Sequence, residues 1–463
     1  MSGSFSSLNT ALTALRYTSA ALDVASNNIA NVNTEGYTRR RVIAESIGAP
    51  SVPANWSIYD GVGGGVATNG VQRLSDDLLD ARSRAEHGNQ SYLDVRSTVL
   101  QRVESGIGEP GDSGVTAALG DFRAAWHDLA NDPGGTATRQ VVMSSAVALT
   151  DAIHAQASAI EAEQSTQRSH MNSAVSEVNA VAKQLADANR TIAASRLDGV
   201  DVSNLQDQRD KLAQRLAELT GGTATPRADG GLDVSVGGVG LVSGSTAKSL
   251  VVSSGINPDG TPDGNPLVLG ISDGTTTTPV TGLTGEVGAI SDLLTTTLPA
   301  YASGLDAVAK GLADTVNALH QSGYDLSGTA GGAFFSYSAT GAAASLTLAI
   351  TDTSKIAAAG TSGGTLDGSI ADKLGASGTA ESSYQQLVSG FGTEVASVKR
   401  RQTTQQLLTT QIDNARQQLS GVNLDEETVN MLSAQRAYEA AARVMTTVDS
   451  VLDTLINRTG VTR

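Results

Sequence analysis

Apolar residues near the N-terminus recur at alternating spacings of four and three, the spacing of a coiled-coil helix. The positions that follow this pattern are Leu8, Leu12, Leu15, Ser19, Leu22, Ser26 and Ile29. The pattern stops at a polar stretch that ends in Glu35-Gly36, and Asn and Gly both favour turns. We therefore predict a coiled-coil helix of an inner core over residues 1–36.

Four asparagines stand at the end of this first helix: Asn27, Asn28, Asn31 and Asn33. They are compatible with turn formation, with intersubunit hydrogen bonds, or with both. The sequence does not decide between these roles.

The opposite end of the chain carries the same spacing. Its seam positions step by three and four and are Met431, Ala434, Tyr438, Ala441, Met445, Val448, Leu452 and Leu455. Carboxylates at 425–427 precede them, where the helix dipole favours negative charge. We predict a second coiled-coil helix over 424–463 and expect the two terminal helices to pair with each other and with neighbouring subunits. Two ordinary amphipathic helices in one bundle are the alternative.

Between the ends, the pattern changes several times. We predict an extended or hairpin connector over 37–73, a helical bundle body over 74–221 and a β-rich outer domain over 222–288, where Val/Leu alternation is punctuated by Asp-Gly pairs. A helix that returns to the body follows over 289–322. A second Gly/Ser/Thr-rich β or loop excursion over 323–380 and a further body helix over 381–423 complete the chain. The predicted fold class is mainly α with β-rich insertions.

Composition adds two expectations. Aromatic residues make up 3% of the 463 residues, so we expect a core of many small side chains along helix contacts and no reliance on a few large aromatic anchors. The net charge is −16, which argues against a nucleic-acid partner because phosphate binding needs a cationic face.

Candidate catalytic chemistry is sparse. The chain has no cysteine, which excludes disulfides and thiolate nucleophiles. Gly111-Asp112-Ser113-Gly114 resembles a protease nucleophile segment, yet a helix-capping turn explains it better. The histidines are scattered, so metal ligation is not expected. No apolar run is long enough for a membrane span, and the N-terminus does not have the pattern of a Sec signal. We predict no enzymatic activity, no cofactor and no membrane insertion.

Two terminal segments carry a family resemblance. Residues 20–37, AALDVASNNIANVNTEGY, and residues 434–444, AQRAYEAAARV, resemble the N- and C-terminal signatures of the flagellar rod, hook and hook-associated proteins. Further segments are more similar to the hook-associated members: Gly36-Tyr37-Thr38-Arg39, the Asp-Gln-Arg-Asp run at 207–210, the Asn-x-x-His-x-x-Gly run at 317–323, and residues 420–427.

The resemblance implies a structural subunit of the bacterial flagellum that acts as a hook–filament junction adaptor at the distal end of the hook. Another axial rod or hook protein of the same family is the alternative. The implied partners are copies of the chain in a ring, hook protein, a second hook–filament junction protein and a cytoplasmic export chaperone. The implied location is extracellular, after export by the flagellar type III apparatus without a cleaved signal. The resemblance is weakest near residues 222–288, so we expect a short linker to replace that segment without loss of the junction role.

The residues expected to serve assembly lie at both ends of the chain. In the N-terminal seam and signature they are Leu8, Leu12, Leu15, Leu22, Asn27, Asn28, Ile29, Asn31, Gly36 and Tyr37. In the C-terminal seam they are Met431, Tyr438, Ala441, Met445, Val448, Leu452 and Leu455.

Overall fold

The computed structural model describes residues 2–48, 64–109, 111, 114–363 and 366–454. Most of these residues are helical. The helices are α1 (Ser2–Ala30), α2 (Asp77–Ile107), α3 (Val115–Asn131), α4 (Thr136–Leu197), α5 (Ser203–Thr220), α6 (Gly285–Asp292), α7 (Leu298–Gln321), α8 (Ala342–Ser345), α9 (Ser369–Ala376), α10 (Thr379–Ser420) and α11 (Leu424–Asp453). A π-helical turn, Leu293–Thr297, joins α6 to α7.

The strands form small antiparallel sheets. β1 (Arg40–Ser46) pairs with β2 (Val66–Arg73) as a hairpin. A four-stranded sheet contains β3 (Thr223–Pro226), β4 (Leu232–Val236), β5 (Val239–Ser243) and β6 (Thr246–Ala247), and a three-stranded sheet contains β7 (Ser249–Ser254), β8 (Val268–Ser272) and β9 (Thr277–Pro279). Two short strands, β10 (Phe335–Ser336) and β11 (Thr347–Leu348), pair between α7 and α9. The predicted fold class, mainly α with β-rich parts, is confirmed.

The 62-residue helix α4 connects two hydrophobic cores. Its first half supplies Val142, Leu149 and Ile153 to a core shared with α2, α3, α7 and α10. Its second half supplies Val178 and Leu185 to another core, shared with α5, α6 and the two larger sheets. Because these side chains are fully buried, the β-rich segment and the helical body share one helix as a common support.

The β-rich segment is therefore packed against the body, and its removal would uncover the second half of α4. This argues against the expectation that a short linker could replace residues 222–288. The β4 side chains alternate buried and half-buried along Leu232–Val236, with their inner face on that helix core. The Val/Leu alternation and the Asp-Gly pairs predicted strands in this segment, but they did not predict that the strands cover the second half of α4.

The main core contains an aromatic cluster that composition did not predict. Trp126 lies edge-on to Phe122 at 6.0 Å between ring centroids, 5.4 Å from Phe334, and both Trp126 and Phe334 are fully buried. Phe334 and Phe335 stack edge to face at 4.9 Å. The expectation of a core without aromatic anchors is wrong, because Phe122, Trp126, Phe334 and Phe335 form one buried cluster.

The Gly/Ser/Thr-rich segment that follows α7 also enters this core. Phe334, Phe335, Leu346 and Ile356 are each at most 1% exposed and belong to the main core. Asn317 on α7 holds the segment, because its Oδ1 accepts hydrogen bonds from the Phe334 and Phe335 amides at 2.8 and 2.9 Å. The segment is thus not a simple outward excursion of the chain.

Within the described residues, no helix is long and apolar enough to cross a membrane.

Candidate assembly site

The two terminal helices, α1 and α11, pack along each other, and α1 also contacts the β1–β2 hairpin. Over residues 7–30 of α1, the buried side chains are small or polar: Ala11, Thr18, Ala25 and Asn28. Those of α11 are Glu427 and Ala441. Small side chains let helix backbones approach closely, but they bury little apolar area.

The predicted N-terminal seam lies beside this buried face and does not coincide with it. Leu8, Leu15, Leu22 and Ile29 are half-buried, and Leu12 is 37% exposed. The heptad pattern therefore identified the helix but not the positions that are buried most deeply within one chain.

The predicted C-terminal seam is placed similarly. Ala441 is buried and Tyr438 is 42% exposed. The remaining members are half-buried, namely Met431, Met445, Val448 and Leu452. Leu455 lies outside the described residues.

A buried polar centre joins the end of α1 to the start of α11. The Asn28 side chain is fully buried, and its Nδ2 donates to Arg40 O at 3.0 Å and to Glu427 Oε2 at 2.9 Å. Its Oδ1 accepts from the Tyr37 hydroxyl at 2.8 Å and from the Arg40 amide at 3.1 Å. All the hydrogen-bonding capacity of this amide is used inside the chain, which favours the structural reading of Asn28.

Arg39 completes the connection to α11. Its Nε donates to Glu427 Oε1 at 2.8 Å, and its Nη1 donates to Glu426 Oε2 at 2.7 Å. The Arg39 amide also donates to Ser420 O at 2.8 Å, at the end of α10. Since Glu427 is 2% exposed, its carboxylate is stabilised by paired, hydrogen-bonded neighbours, as buried charges require.

A second ion-pair group ties the same region to α5. Arg40 Nη2 donates to Asp207 Oδ2 at 3.0 Å. Arg73, at the end of β2, donates from Nε to Asp207 Oδ1 at 2.9 Å and from Nη2 to Asp210 Oδ2 at 2.6 Å. Burial alone would lower the pKa of Arg73, but Asp210 and Asp207 outweigh it and raise that pKa above its usual value.

Tyr37 lies between the two groups. Burial is the main cause that raises the pKa of its phenol, with Arg40 opposing and Asp207 and Glu427 adding to the rise. The Arg40 guanidinium also lies over the Tyr37 ring, 4.9 Å from its centroid. The hydroxyl therefore stays protonated and donates to Asn28.

The other signature residues form the turn itself. Asn27 is exposed and donates from Nδ2 to Asp23 O at 2.9 Å. Asn31 Oδ1 accepts from Thr34 Oγ1 at 3.1 Å. Gly36 has φ +74°, a left-handed conformation that favours glycine, and a Cβ there would lie 2.1 Å from Lys211 Cε. Turn formation thus accounts for Asn31 and Gly36.

Among the candidate catalytic positions, the structure describes the histidines. Asp112 and Ser113 lie outside the described residues. His87 Nε2 pairs with Asp413 Oδ1 at 3.0 Å, and His127 Nδ1 lies 3.6 Å from Asp372 Oδ1. Among the described residues, no group of three or more His, Asp or Glu side chains is placed to hold a metal ion.

Sequence reasoning missed the residues that carry most of the polar centre. Arg39, Arg40, Arg73, Asp207 and Glu427 were not named as site residues. Part of the signal was available, since Arg39 belongs to the Gly-Tyr-x-Arg run and Asp207 to the Asp-Gln-Arg-Asp run. What the sequence lacked was their pairing, because Asn28 and Glu427 are 399 positions apart.

Comparisons with known protein families match these structural parts separately. Residues 8–38, which hold α1 and its turn, match the flagella basal body rod protein family. Residues 415–458, which include α11, match the C-terminal family of flagellar basal body rod FlgEFG proteins. The paired terminal helices thus define the chain as an axial protein of the flagellum.

The matches of the helical body and of full-length relatives identify the family more specifically. Residues 100–335 match the helical domain of flagellar hook-associated protein FlgK. Flagellar hook-associated protein 1 of Bacillus subtilis is 30% identical, with 100% of this chain and 99% of the relative covered. The Escherichia coli protein of that name is 26% identical, with 97% and 99% covered. The chain belongs to the flagellar hook-associated protein 1 family.

A solved structure supports the fold. The flagellar hook junction protein FlgK from Burkholderia pseudomallei aligns with a TM-score of 0.65 at 17% identity, covering 73% of this chain and 100% of that one.

Proposed function

We propose that this chain is the adaptor between hook and filament, assembled as a ring of copies at the distal end of the hook. The observation that carries the proposal is an apolar surface left open on the terminal helices. Leu12 is 37% exposed on α1, and α11 exposes Val429, Leu432, Val444 and Val451 by 66%, 45%, 49% and 46%. Several large apolar side chains exposed on two paired helices provide a surface suited to protein–protein contacts.

The physical argument concerns what one copy can bury by itself. The most deeply buried side chains described on α1 are two alanines, a threonine and an asparagine, whose burial gives little hydrophobic stabilisation. In proteins, most of the stability of a helix comes from tertiary packing of its apolar face. Neighbouring copies in a ring would cover the exposed leucines and valines and complete the packing.

The proposed partners follow from membership in the family and from this surface. Hook protein would lie on one side, a second hook–filament junction protein on the other, and further copies laterally. A cytoplasmic export chaperone would hold the chain before export through the flagellar type III apparatus without a cleaved signal, to an extracellular position. We propose no nucleic-acid partner, no membrane insertion, no cofactor and no enzymatic activity, since the relatives are flagellar structural proteins.

In this proposal, the assembly has an inner core, a body around it and an outer side, and each contains different parts of the chain. Residues 1–36 and 424–463 would form the inner core, and the helical segments 74–221, 289–322 and 381–423 the body around it. The β-rich segment 222–288 would lie on the outer side. The assembly role of the seam residues remains part of this proposal.

The test uses an exposed leucine, so that folding and assembly are separated. Leu432→Asp should fold and be exported like the wild type but fail to incorporate at hook ends in a strain that lacks the native gene, which leaves hooks without filaments. The matched control is Val141→Asp on α4, where the replaced side chain is 48% exposed and far from the terminal helices. Normal filaments with Leu432→Asp, or equal loss with both variants, would contradict the proposal.

A further inference from the structure

Arg84, on α2, is a buried guanidinium without a partner in the described part of the chain. It is 7% exposed, and its Nε is enclosed and unbonded. The described residues form no hydrogen bond or ion pair with its guanidinium. A buried charge without a partner is costly, so this arginine calls for an explanation.

The guanidinium lines a cavity of about 480 Å³ between α2, α5, α10 and the turn at Gly36. A water molecule in the liquid occupies about 30 Å³, so the space admits a solute of several heavy atoms. Arg84 carries five N–H donors in a planar fork that matches the oxygens of carboxylate, sulfate and phosphate groups.

The other cations around the cavity are mostly paired. Arg73 pairs with Asp207 and Asp210, and Arg416 Nε lies 2.8 Å from Asp80 Oδ1. Arg215 Nη1 lies 3.4 Å from Glu218 Oε2. The exposed Lys211 has no ion pair among the described residues. The cations left over for a ligand are therefore Arg84 and Lys211.

The carboxylates that face the cavity are mostly paired too. Asp80, Asp207 and Asp210 form ion pairs with arginines. Asp413 Oδ1 lies 3.0 Å from His87 Nε2. Glu35, on the turn, is exposed.

The pKa shifts of the two arginines differ in direction. Burial lowers the pKa of Arg84, and Asp210 and Asp80 oppose this only in part. The pKa of the paired Arg73 is raised. The contrast agrees with the geometry, in which Arg73 is satisfied and Arg84 is not.

We propose that this cavity is an oxyanion site in which Arg84, with Lys211, binds a phosphate, sulfate or carboxylate group. The group has two possible sources, a free inorganic anion or an acidic side chain of a neighbouring subunit. In either case its charge would satisfy Arg84 at the place where α2, α5 and α10 meet the signature turn. The inference stands apart from the junction role, because all the residues that line the cavity belong to one chain.

Calorimetric titration of the wild-type monomer tests the site directly, with sodium phosphate and sodium acetate as separate probes at constant ionic strength. Saturable binding of phosphate alone indicates a free anion as the natural occupant, and binding of acetate indicates a carboxylate. Saturable binding of neither probe overturns the proposal.

Thermal unfolding then assigns the binding to Arg84. At ten times the dissociation constant we expect the bound probe to raise the wild-type Tm by about 1–3 °C. Arg84→Met should lose this rise, and Arg82→Met, an exposed position on the same helix, should keep it. Equal responses of all three proteins would mean general salt effects and would refute the site.

The stability of Arg84→Met without added probe gives an independent check. If Arg84 is unpaired, an apolar replacement of similar length should leave the Tm in sodium chloride unchanged or raise it. A fall of more than about 4 °C would mean that the guanidinium already has a partner, and the proposal would be wrong.

Discussion

The central body and the terminal helix pair bury different kinds of side chain. In the body, Trp126, Phe334, Leu149 and Met171 are fully buried, and the interior is filled by large apolar groups. In the terminal pair the buried positions are small or polar, and large apolar residues such as Leu432 remain exposed. The body can thus complete its core within one chain, whereas the pair leaves much of its apolar surface for other contacts.

The same contrast holds for the polar groups. The body is held together by apolar packing over long stretches, while α1 and α11 are joined by a compact set of hydrogen-bonded charges around Asn28 and Glu427. Hydrogen bonds and ion pairs are directional, so such a centre defines register and orientation even where it adds modest net stability. The polar centre thus defines how α1 lies against the start of α11.

The largest expected effect concerns the second core. Replacing residues 223–279 by a short Gly/Ser linker would expose Met171, Val178, Leu185, Leu216 and Leu219, which are all fully buried. Burial of such side chains stabilises by about 1.5–3 kcal/mol each, and the sum is comparable to the whole stability of a domain, about 5–15 kcal/mol. We expect an aggregating protein or one without cooperative unfolding, as measured by circular dichroism and sedimentation. A soluble variant with wild-type unfolding would show that the two halves of α4 are independent.

The next prediction compares the two regions directly. Trp126→Ala should cost about 3–5 kcal/mol of unfolding free energy, because it leaves a large cavity in the aromatic cluster. Leu432→Ala, at a 45% exposed position, should change the same quantity by at most about 0.5 kcal/mol in the monomer. Urea denaturation of both variants measures the two values. Similar losses would contradict the difference between the regions.

The polar centre can be tested with two neighbouring carboxylates. Glu427→Gln removes the charge that faces Arg39 and Asn28 inside the protein and should weaken the attachment of the terminal helices by about 2–4 kcal/mol. Its control is Glu426→Gln, because Glu426 pairs with the same Arg39 but its side chain is 57% exposed. Exposed pairs contribute about 0–1 kcal/mol.

Hydrogen exchange of the backbone amides in α1 and α11 measures how firmly the terminal helices are attached. We expect faster exchange there in Glu427→Gln, with the amides of α4 unchanged. Uniform acceleration over the whole chain would instead make Glu427 part of the global fold.

The smallest effect is a pH dependence that belongs to the body. His320 is fully buried; its Nδ1 donates to Gly332 O at 2.8 Å and its Nε2 accepts from the Ala357 amide at 2.9 Å. Both contacts suit the neutral ring. Burial is the main cause that lowers the pKa of His320 below its usual 6.5, with nearby Arg139 adding to the shift.

The sign follows from proton uptake. Below pH 6.5 the unfolded chain binds the proton before the folded one does, so stability falls with pH by at most about 1.4 kcal/mol per unit until the folded pKa is reached. Urea denaturation between pH 8 and 5 should show this slope in the wild type and a smaller slope in His320→Asn. Identical slopes would remove His320 as the cause. We expect the terminal helix pair to make no contribution to this difference in slope between the wild type and His320→Asn.

Much of the local structure was determined by sequence alone. Helices were predicted within 74–221 and over 424–463, and α2 to α5 and α11 lie within these ranges. The family was also identifiable, because the terminal signatures are contiguous runs. These features depend on spacing and turn chemistry, which act between residues that are close in the chain.

The tertiary structure determined which helix faces are buried and which charged groups form pairs. The leucine spacing of α1 indicated a helix, yet the deepest burial falls on Ala11, Thr18 and Ala25, since burial depends on what packs against the helix. The pairing of Asn28 with Glu427 spans 399 positions. Arg84 and Arg73 are both arginines of one region with carboxylates nearby, but among the described residues only Arg73 forms ion pairs with them. Helical periodicity is a local property, whereas contacts between distant segments depend on how the whole chain packs, and no spacing in the sequence specifies them.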